Sequence, residues 1–234
     1  SGISPITKYK SRSQMITPKV ILRFLRKYGK DNFISNLDSH SKILDVGCGN
    51  ASTIQNIKII KPFCNLTGID INDYNQTLDS KRVIDNYIIA HPNDFAKSID
   101  SIPLQFDAVM SSHNLEHTLD REKVLISMLD KVKKNGVLYI SFPCERSINF
   151  PRRAGTLNYY DDETHKENPP DFDGIIRTIK DNNFQIIYSS RRYRPLILFF
   201  IGLLLEPISS IKKRVLRGTW EFYGFESIIH ARKM

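Results

Sequence analysis

The feature that most constrains the fold is a regular alternation of short β-type runs with helical segments. Runs of about four to eight residues rich in β-branched and aromatic side chains are typical of strands, and longer periodic segments are typical of helices. The predicted strands are Ile43–Val46, Leu66–Ile69, Tyr87–Ala90, Phe106–Met110, Gly136–Phe142, Phe184–Tyr188 and Phe225–His230. The predicted helices include Thr53–Lys61, Glu122–Val132 and Gly174–Lys180. This alternation predicts a single α/β domain with a mostly parallel sheet covered by helices on both faces.

The composition of the chain indicates which partners and which cellular location are expected for this domain. The 234 residues are enough for one sizeable core, and the formal net charge of +9 favours anionic partners such as phosphates, nucleic acid or an acidic membrane surface. A solvated basic surface explains the charge equally well. The three cysteines, Cys48, Cys64 and Cys144, form no C-x-x-C pair, which argues against a disulfide framework or a zinc site. With no secretory signal in the sequence, we expect a cytoplasmic location.

Three segments depart from the alternation. Residues 1–40 form a leader in which Thr17-Pro18 is a helix-start signal. Residues 143–170 form a long loop with four prolines, and long loops in compact domains are usually functional.

The third segment, residues 195–218, has an apolar half and a basic half. Its apolar run Leu196–Leu205 is shorter than the ~20 residues that a membrane-spanning helix needs. As a helix, the segment either lies in a membrane interface or packs over the site or against a second subunit. Pro207 is expected to kink or divide that helix.

The stretch LDVGCGN, Leu44–Asn50, follows the first predicted strand and indicates a ligand site. Ligands of open parallel sheets bind beyond the carboxyl ends of the strands. There, Gly47 and Gly49 can adopt positive φ and let a ligand approach the backbone. Asp70 ends the second predicted strand, where a carboxylate can accept hydrogen bonds from both hydroxyls of a ribose.

Taken in order and spacing, several stretches resemble the core motifs of class I S-adenosylmethionine-dependent methyltransferases. These are LDVGCGN, GIDIND, NDF and IPLQFDAVMSSHNLEH, followed by KVKKNGVLYISFP at the turn into the fifth strand. The resemblance covers Lys42–Pro143 closely and the rest of the chain more loosely. It implies a Rossmann-like three-layer α/β/α sandwich with a seven-stranded, mostly parallel sheet and an antiparallel last strand.

The resemblance also implies a binding site for S-adenosylmethionine, which leaves as S-adenosylhomocysteine. The implied cofactor-binding residues are Asp45, Gly47, Cys48 and Gly49 for the methionine moiety, Asp70 for the ribose, Ile71, Asp94 and Phe95 for the adenine, and Ser111 at the methionine end. The usual third glycine of the turn is replaced by Asn50-Ala51. This departure also disfavours a NAD site, which needs G-x-G-x-x-G.

Methyl transfer needs no metal, because the methyl group on the sulfonium is already activated. A base that takes the proton of an acceptor hydroxyl typically contributes ~10²–10⁴-fold. The candidate bases are His113, Glu116, His117 and His165, of which His113 and His165 are the predicted catalytic residues. The run His113–His117 also matches the H-x-x-E-H pattern of some zinc proteases. We interpret that match as accidental and predict a site without metal, in which Glu116 and His117 cap and pack the start of a helix.

The acceptor is predicted to lie near Asn158–His165, where aromatic, acidic and imidazole side chains suit a polyhydroxyl molecule. A capped acidic helix start and a divalent ion on Asp161 and Asp162 are alternatives. The block from Phe142 through His165 is similar, more loosely, to methyltransferases of bacterial polysaccharide and O-antigen loci. The sequence therefore predicts O-methylation of a sugar, or of a lipid-linked glycan precursor, at or near the inner membrane face.

Two other functions stay open. One is methyl transfer to a lipid, a quinone-like molecule or nucleic acid, although no N-P-P-Y-type motif supports a nucleic-acid base as acceptor. The other is a non-catalytic scaffold that binds the cofactor. The oligomeric state is not predicted.

Overall fold

The computed structural model describes residues 25–49, 57–72 and 84–234. Most of the predicted leader helix and residues 53–56 of the predicted helix Thr53–Lys61 lie outside these residues, and residues 57–60 of the second helix are helical. The strands are β1 (Lys42–Val46), β2 (Asn65–Asp70), β3 (Asn86–Ile89), β4 (Phe106–Ser112), β5 (Val132–Pro143), β6 (Phe184–Ser190) and β7 (Glu226–Lys233). All seven predicted strands are confirmed, with bounds that differ by up to four residues.

The strands form one sheet in the order β3-β2-β1-β4-β5-β7-β6. β7 pairs antiparallel with both β5 and β6, and the other neighbouring pairs are parallel. The predicted mostly parallel sheet with an antiparallel last strand is therefore confirmed. The strand order reverses at β1, because β2 lies on one side of it and β4 on the other. In an open α/β sheet, such a reversal creates the crevice in which ligands bind.

Six α-helices lie in the described part of the chain: α1 (Lys30–Ser35), α2 (Phe95–Asp100), α3 (Arg121–Lys131), α4 (Phe172–Asp181), α5 (Leu196–Ile211) and α6 (Thr219–Tyr223). Asp120 caps α3 by accepting from the backbone N–H of Lys123, and Asp171 caps α4 in the same way. One face of the sheet is covered by α2, α3 and α4, and the other by α1 and residues 57–60, so that two apolar clusters enclose it. This is the predicted three-layer arrangement.

Helix α5 runs without a break through Pro207, so this proline does not divide the segment, and the alternative expectation of a kink stays a prediction. A proline inside a helix removes the hydrogen bond to the carbonyl four residues earlier, here that of Leu203. Both residues are exposed, so water can replace the lost bond. No helix in the described part of the chain is long and apolar enough to cross a membrane.

Residues 143–170 and 195–218, predicted as two separate insertions, contact each other. Ala154 forms an isolated parallel bridge with Arg214. The guanidinium of Arg153 makes two hydrogen bonds to the carboxylate of Glu206, at 2.6 and 2.8 Å. Just beyond the second segment, the indole N–H of Trp220 donates to the carbonyl of Thr156 at 2.7 Å. The two segments thus pack against each other.

Candidate active site

The glycine turn Gly47–Gly49 lies at the carboxyl end of β1, in the crevice where the strand order reverses. Gly47 has a φ of 74° and Gly49 a φ of 59°, the left-handed region that glycine adopts without strain. A Cβ on Gly47 would lie 2.3 Å from the side chain of Asn114, whereas a Cβ on Gly49 would meet no described atom within 4 Å. The space at the Gly49 Cα is therefore open to a ligand, although its N–H donates to Asp70 and its carbonyl accepts from Tyr87. Asn114, from the segment after β4, covers the start of the turn.

Two buried carboxyl groups flank the turn. Asp70, at the end of β2, accepts hydrogen bonds from the backbone N–H groups of Gly49 and Ile71, both at 2.7 Å. Asp45 is 2% exposed, and its Oδ2 has no hydrogen-bond partner among the described residues. Burial raises the pKa of Asp45 to about 6, with Asp70 adding to this shift and Lys30 opposing it. A cationic ligand group would bond to the Oδ2 of Asp45 and favour its ionised form.

The other predicted cofactor residues have different surroundings. Ile71 is 44% exposed, as a surface for a flat ring would be. Ser111 donates from its hydroxyl to the carbonyl of Val46 at 3.0 Å and so ties β4 to β1 below the turn. The thiol of Cys48 and the ring of Phe95 are both buried in the core.

Asp94 and Phe95 lie at the start of α2. The Asp94 carboxylate is 3.1 Å from the ammonium of Lys97. Because the Phe95 ring is part of the core, only its backbone is available to an adenine. The predicted adenine contacts of both residues stay predictions.

His113 lies between two buried carboxylates just beyond β4. Its Nδ1 is 3.1 Å from Glu116 Oε1, and its Nε2 is 3.2 Å from Glu226 Oε1. Burial alone would lower its pKa, but the hydrogen bonds to the two carboxylates outweigh burial and raise the pKa to about 9. Burial likewise opposes the charge on Glu226, but Arg26 and His113 outweigh it and hold the Glu226 pKa at about 2. This environment favours a protonated imidazole, so the predicted role of His113 as a base stays a prediction without structural support.

His165 lies beside His117, whose ring centroid is 4.8 Å away, and both rings face the Glu116 carboxylate region. One possible ligand atom from each of Glu116, His117 and His165 lies within 4.8 Å of the others. Burial lowers the pKa of His165, which favours its neutral form. The three residues are called the Glu–His–His cluster below. All three were candidate bases on sequence grounds, with a catalytic role predicted for His165 and a capping and packing role favoured for Glu116 and His117.

Arg121 holds the loop of His165 against the end of β4. Its guanidinium donates to the carbonyl of Leu115 at 3.1 Å, to the hydroxyl of Tyr159 at 3.1 Å, and to the carbonyls of Lys166 and Asn168. The N–H of Lys166 also donates to the carbonyl of Glu116 at 2.8 Å. Apart from the bond to Leu115, these bonds join residues at least 38 positions apart, and the sequence contained no local signal for them.

The two acids of the predicted acceptor loop have different roles. Asp161 Oδ2 accepts from the backbone N–H groups of Arg153, Leu157 and Asn158, so this carboxylate caps the loop and is committed to backbone. Tyr159–Asp161 is a short 3-10 helix with Asn158 as its cap, close to the capped helix start considered as an alternative. Asp162 Oδ2 instead lies 3.9 Å from His165 Nε2.

Comparison with solved structures gives the class of this fold. A S-adenosylmethionine-dependent methyltransferase from Mesorhizobium loti aligns with a TM-score of 0.59 and 13% identity, over 89% of this chain and 98% of that one. A SAM-dependent methyltransferase from Archaeoglobus fulgidus aligns with a TM-score of 0.51 and 19% identity, over 91% and 99% of the two chains. The [4+2]-cyclase SpnF aligns with a TM-score of 0.54 and 16% identity, over 87% and 79%. No curated protein sequence matches this chain.

The seven-stranded sheet, the glycine turn at its switch point and these neighbours define a class I methyltransferase fold. A family model described as a methyltransferase domain matches residues 15–189, which is most of the chain. The chain belongs to this methyltransferase family, and the family implies S-adenosylmethionine as the cofactor.

The residues around the turn fit that cofactor. Within the described residues, the space at the Gly49 Cα is open, and the Oδ2 of Asp45, which has no partner among them, is an acceptor that the cofactor's ammonium group would satisfy. From these residues each of the two Asp70 oxygens accepts one hydrogen bond, which leaves a lone pair on each for a ribose hydroxyl.

Proposed function

We propose that this protein transfers a methyl group from S-adenosylmethionine to a hydroxyl of a sugar or glycan precursor. The observation that carries the proposal is the Glu–His–His cluster, which lies directly after the segment whose Asn114 covers the glycine turn. A set of proton acceptors next to the methyl donor is what transfer to a hydroxyl requires, whereas transfer to a thiolate or to carbon has less need of it.

The cofactor supplies an electrophilic methyl carbon when it is bound. The chain's own residues orient the two reactants, exclude water and take up the hydroxyl proton. Asp45, Asp70 and the turn hold the donor, and the Glu–His–His cluster is the place at which the acceptor hydroxyl loses its proton. His113, held protonated between Glu116 and Glu226, orients the Glu116 carboxylate.

The net charge of a cavity near this site agrees with an anionic acceptor such as a sugar phosphate. The cavity, of about 480 Å³, is lined by the cations Arg26, Lys30 and Arg217 and the acids Asp31 and Glu221, together with apolar side chains that include Leu198 and Trp220. Arg26 is paired with Glu221 and Glu226. The Trp220 ring lies 5.2 Å from that of His113, so the cavity adjoins the site. An aromatic face with nearby cations is a common environment for a phosphorylated sugar.

Calorimetry with S-adenosylhomocysteine tests the cofactor half of the proposal. Asp70→Ala should weaken binding by about tenfold or more, because the ribose hydroxyls lose their acceptor and the turn loses a hydrogen bond to Gly49. Asp38→Ala, at an exposed acid away from the turn, is the matched control. If wild-type protein does not bind, or Asp70→Ala binds equally well, a methyltransferase function is excluded.

Transfer of a labelled methyl group to a panel of nucleotide sugars and sugar phosphates tests the acceptor half. His165→Ala should lower turnover by about 10²-fold or more while cofactor affinity stays unchanged. His113→Ala should also lower turnover if the imidazole orients Glu116. Label that enters RNA, a quinone or a lipid instead of a sugar would contradict the proposed acceptor.

SpnF supports a second candidate, a protein that uses this fold without methyl transfer. Cofactor binding without transfer to any acceptor of the panel, in protein with an intact Glu–His–His cluster, would favour this candidate.

We also propose that α5 contacts an anionic membrane surface. Its apolar side chains at positions 197, 200, 204, 208 and 211 fall on one helical face and are 45–83% exposed. Exposed basic residues follow directly, at Lys212, Lys213, Arg214 and Arg217. An apolar face with an adjoining basic end is the arrangement of interfacial helices.

Vesicle flotation tests this contact. Wild-type protein should float with vesicles that contain phosphatidylserine, and Leu204→Asp should abolish flotation because it places a charge in the apolar face. Ser210→Asp, next to that face, is the control for added charge. Equal flotation of Leu204→Asp and wild type, or a dimer in solution that Leu204→Asp disrupts, would contradict membrane contact.

A further inference from the structure

The Glu–His–His cluster has the donor set of a divalent metal site. It brings two imidazoles and one carboxylate together from two segments that are far apart in sequence, Leu115–His117 and the loop after Tyr159–Asp161. Its possible ligand atoms lie within 4.8 Å of one another. Two histidines and one carboxylate that leave a coordination position open are the ligands of several catalytic zinc sites.

Hydrogen bonds fix the tautomer of His165. Its Nδ1 lies within hydrogen-bond distance of the backbone carbonyl of Tyr159. A carbonyl oxygen can only accept, so Nδ1 carries the proton and Nε2 keeps a lone pair. Metal-ligating histidines typically donate their other N–H to a carbonyl or carboxylate in this way.

His117 is fixed in the same tautomer through Thr164. The Thr164 hydroxyl donates to Asp162 Oδ1 at 2.6 Å, so its only proton is used. The 2.9 Å contact between Thr164 Oγ1 and His117 Nδ1 must therefore be a hydrogen bond that Nδ1 donates. His117 Nε2 is left with a lone pair. Asp162 orients His117 indirectly, through the hydroxyl of Thr164.

Glu116 supplies an unsatisfied acceptor to the same cluster. The residue is fully buried, and its Oε1 is 3.1 Å from His113 Nδ1. Its Oε2 has no hydrogen-bond partner within the described ranges. A buried carboxylate oxygen without a partner is costly, and a bound cation is one of the few groups that would compensate for it.

We propose that Glu116, His117 and His165 bind a zinc-type divalent metal ion. Imidazole nitrogens favour transition metals of this type over Mg²⁺ or Ca²⁺, which prefer oxygen ligands. Zinc bonds of about 2.0–2.1 Å place ligand atoms roughly 3.3 Å apart, so atoms that now lie within 4.8 Å of one another would approach by up to about 1.5 Å on binding. The proposal departs from the expectation of a metal-free site that the sequence alone suggested.

The role of the ion rests on the proposed function. An acceptor hydroxyl in the open position would become more acidic beside the ion and lose its proton to solvent. The oxygen electron pair would then form the bond to the methyl carbon, and the electrons of the carbon–sulfur bond would pass to sulfur to give S-adenosylhomocysteine. The histidines would then be metal ligands and not bases.

Calorimetric titration of the full chain with ZnCl₂ alone, after chelator treatment, tests the site. One zinc per chain should bind, and Glu116→Gln and His117→Ala should each weaken binding at least tenfold. Thr164→Val, which removes the acceptor for His117 Nδ1 together with the hydroxyl that donates to Asp162, should weaken binding about 10–100-fold. His40→Ala changes an exposed histidine elsewhere and should leave binding unchanged.

Two controls make the result decisive. A Co²⁺-loaded sample should lack a thiolate charge-transfer band, because a band would assign the metal to Cys48, Cys64 or Cys144. Unfolding curves without metal should show that Glu116→Gln and His117→Ala are folded, and zinc should raise the midpoint of wild type but not of the folded variants. No zinc binding, or equal binding in wild type and in both variants, overturns the proposal.

Activity measurements distinguish a failure of the proposed metal site from a failure of the proposed function. If chelated protein binds S-adenosylhomocysteine and methylates a sugar as fast as zinc-loaded protein, the catalytic role of the ion is wrong and the proposed function stands. If zinc binds as described but no hydroxyl is methylated, the metal site stands and the proposed function fails.

Discussion

Asp45 places a carboxyl group inside the sheet, two residues before the first glycine of the turn. The side chain faces Asp70 from β2, with Lys30 of α1 as the cationic neighbour that favours its ionised form. Its raised pKa means that the native protein holds this proton more tightly than the unfolded chain does. Stability should therefore fall as pH rises from about 4 to about 6, by up to about 3 kcal/mol from this group. A cationic ligand would reverse that preference.

The first prediction concerns the pH dependence of cofactor binding. The ammonium group of S-adenosylhomocysteine favours the carboxylate form of Asp45, so affinity should rise as pH increases through about 6, the pKa of Asp45. Calorimetry between about pH 5 and pH 8 measures this change. Asp45→Asn should bind more weakly and lose most of the rise, and an identical pH profile in this variant would exclude Asp45 as the cause.

Helix α5 comes very close to the backbone at the start of α6, where Gly202 meets Gly218. A Cβ on Gly202 would lie 2.0 Å from the carbonyl oxygen of Gly218, which has a φ of 80°. Gly202 therefore allows the helix to approach the backbone of the next element, and this close approach leaves the opposite, apolar face of α5 uncovered. Sequence reading treated Gly202 only as part of an apolar run.

The second prediction is that Gly202→Ala destabilises the protein. In an ordinary helix this change stabilises by about 0.5–1 kcal/mol, but here the added methyl group would overlap with rigid backbone. We expect a loss of about 1–3 kcal/mol in the free energy of unfolding, measured by chemical denaturation. Ser210→Ala on the exposed side of the same helix should be neutral or slightly stabilising. A stable Gly202→Ala variant would show that the two elements separate easily.

At the scale of the whole molecule, buried ion pairs join segments that are remote in sequence. Arg153, from the long loop, is paired with Glu206 of α5, and the Tyr223 hydroxyl of α6 donates to the same carboxylate at 2.7 Å. Glu206 raises the pKa of Arg153, and Arg153 lowers that of Glu206. Only 3% of the Arg153 side chain is exposed. Arg153 therefore holds the acceptor-side loop and α5 together.

The third prediction is a double-mutant cycle on this pair. Arg153→Met leaves a partly buried carboxylate without its main partner and should cost about 3 kcal/mol of stability. Glu206→Leu added to Arg153→Met should recover part of that loss, since no uncompensated charge then remains. Denaturant unfolding of the four proteins measures the coupling. Additive effects would mean that the two side chains do not interact in solution.

Much of the fold was predictable from the sequence because it rests on local signals. Strands such as Ile43–Val46 are continuous apolar runs, and the glycines and Asp70 follow them at strand ends, which a parallel sheet brings to one edge. The bounds of β5 were missed by four residues at its start, because Val132–Asn135 contains two lysines and an asparagine that do not resemble a strand. The pairing with β4 decides that boundary.

The sequence by itself determined the sheet, the cofactor turn and the family, because each depends on periodicity or on residues within one turn of the chain. Only the tertiary structure decided the chemistry of the acceptor side. Long-range hydrogen bonds from Arg121 bring His165 to Glu116 and His117, and Glu226 from the last strand surrounds His113 with negative charge. Charge and proton affinity depend on distance in space, and these distances join residues up to 113 positions apart.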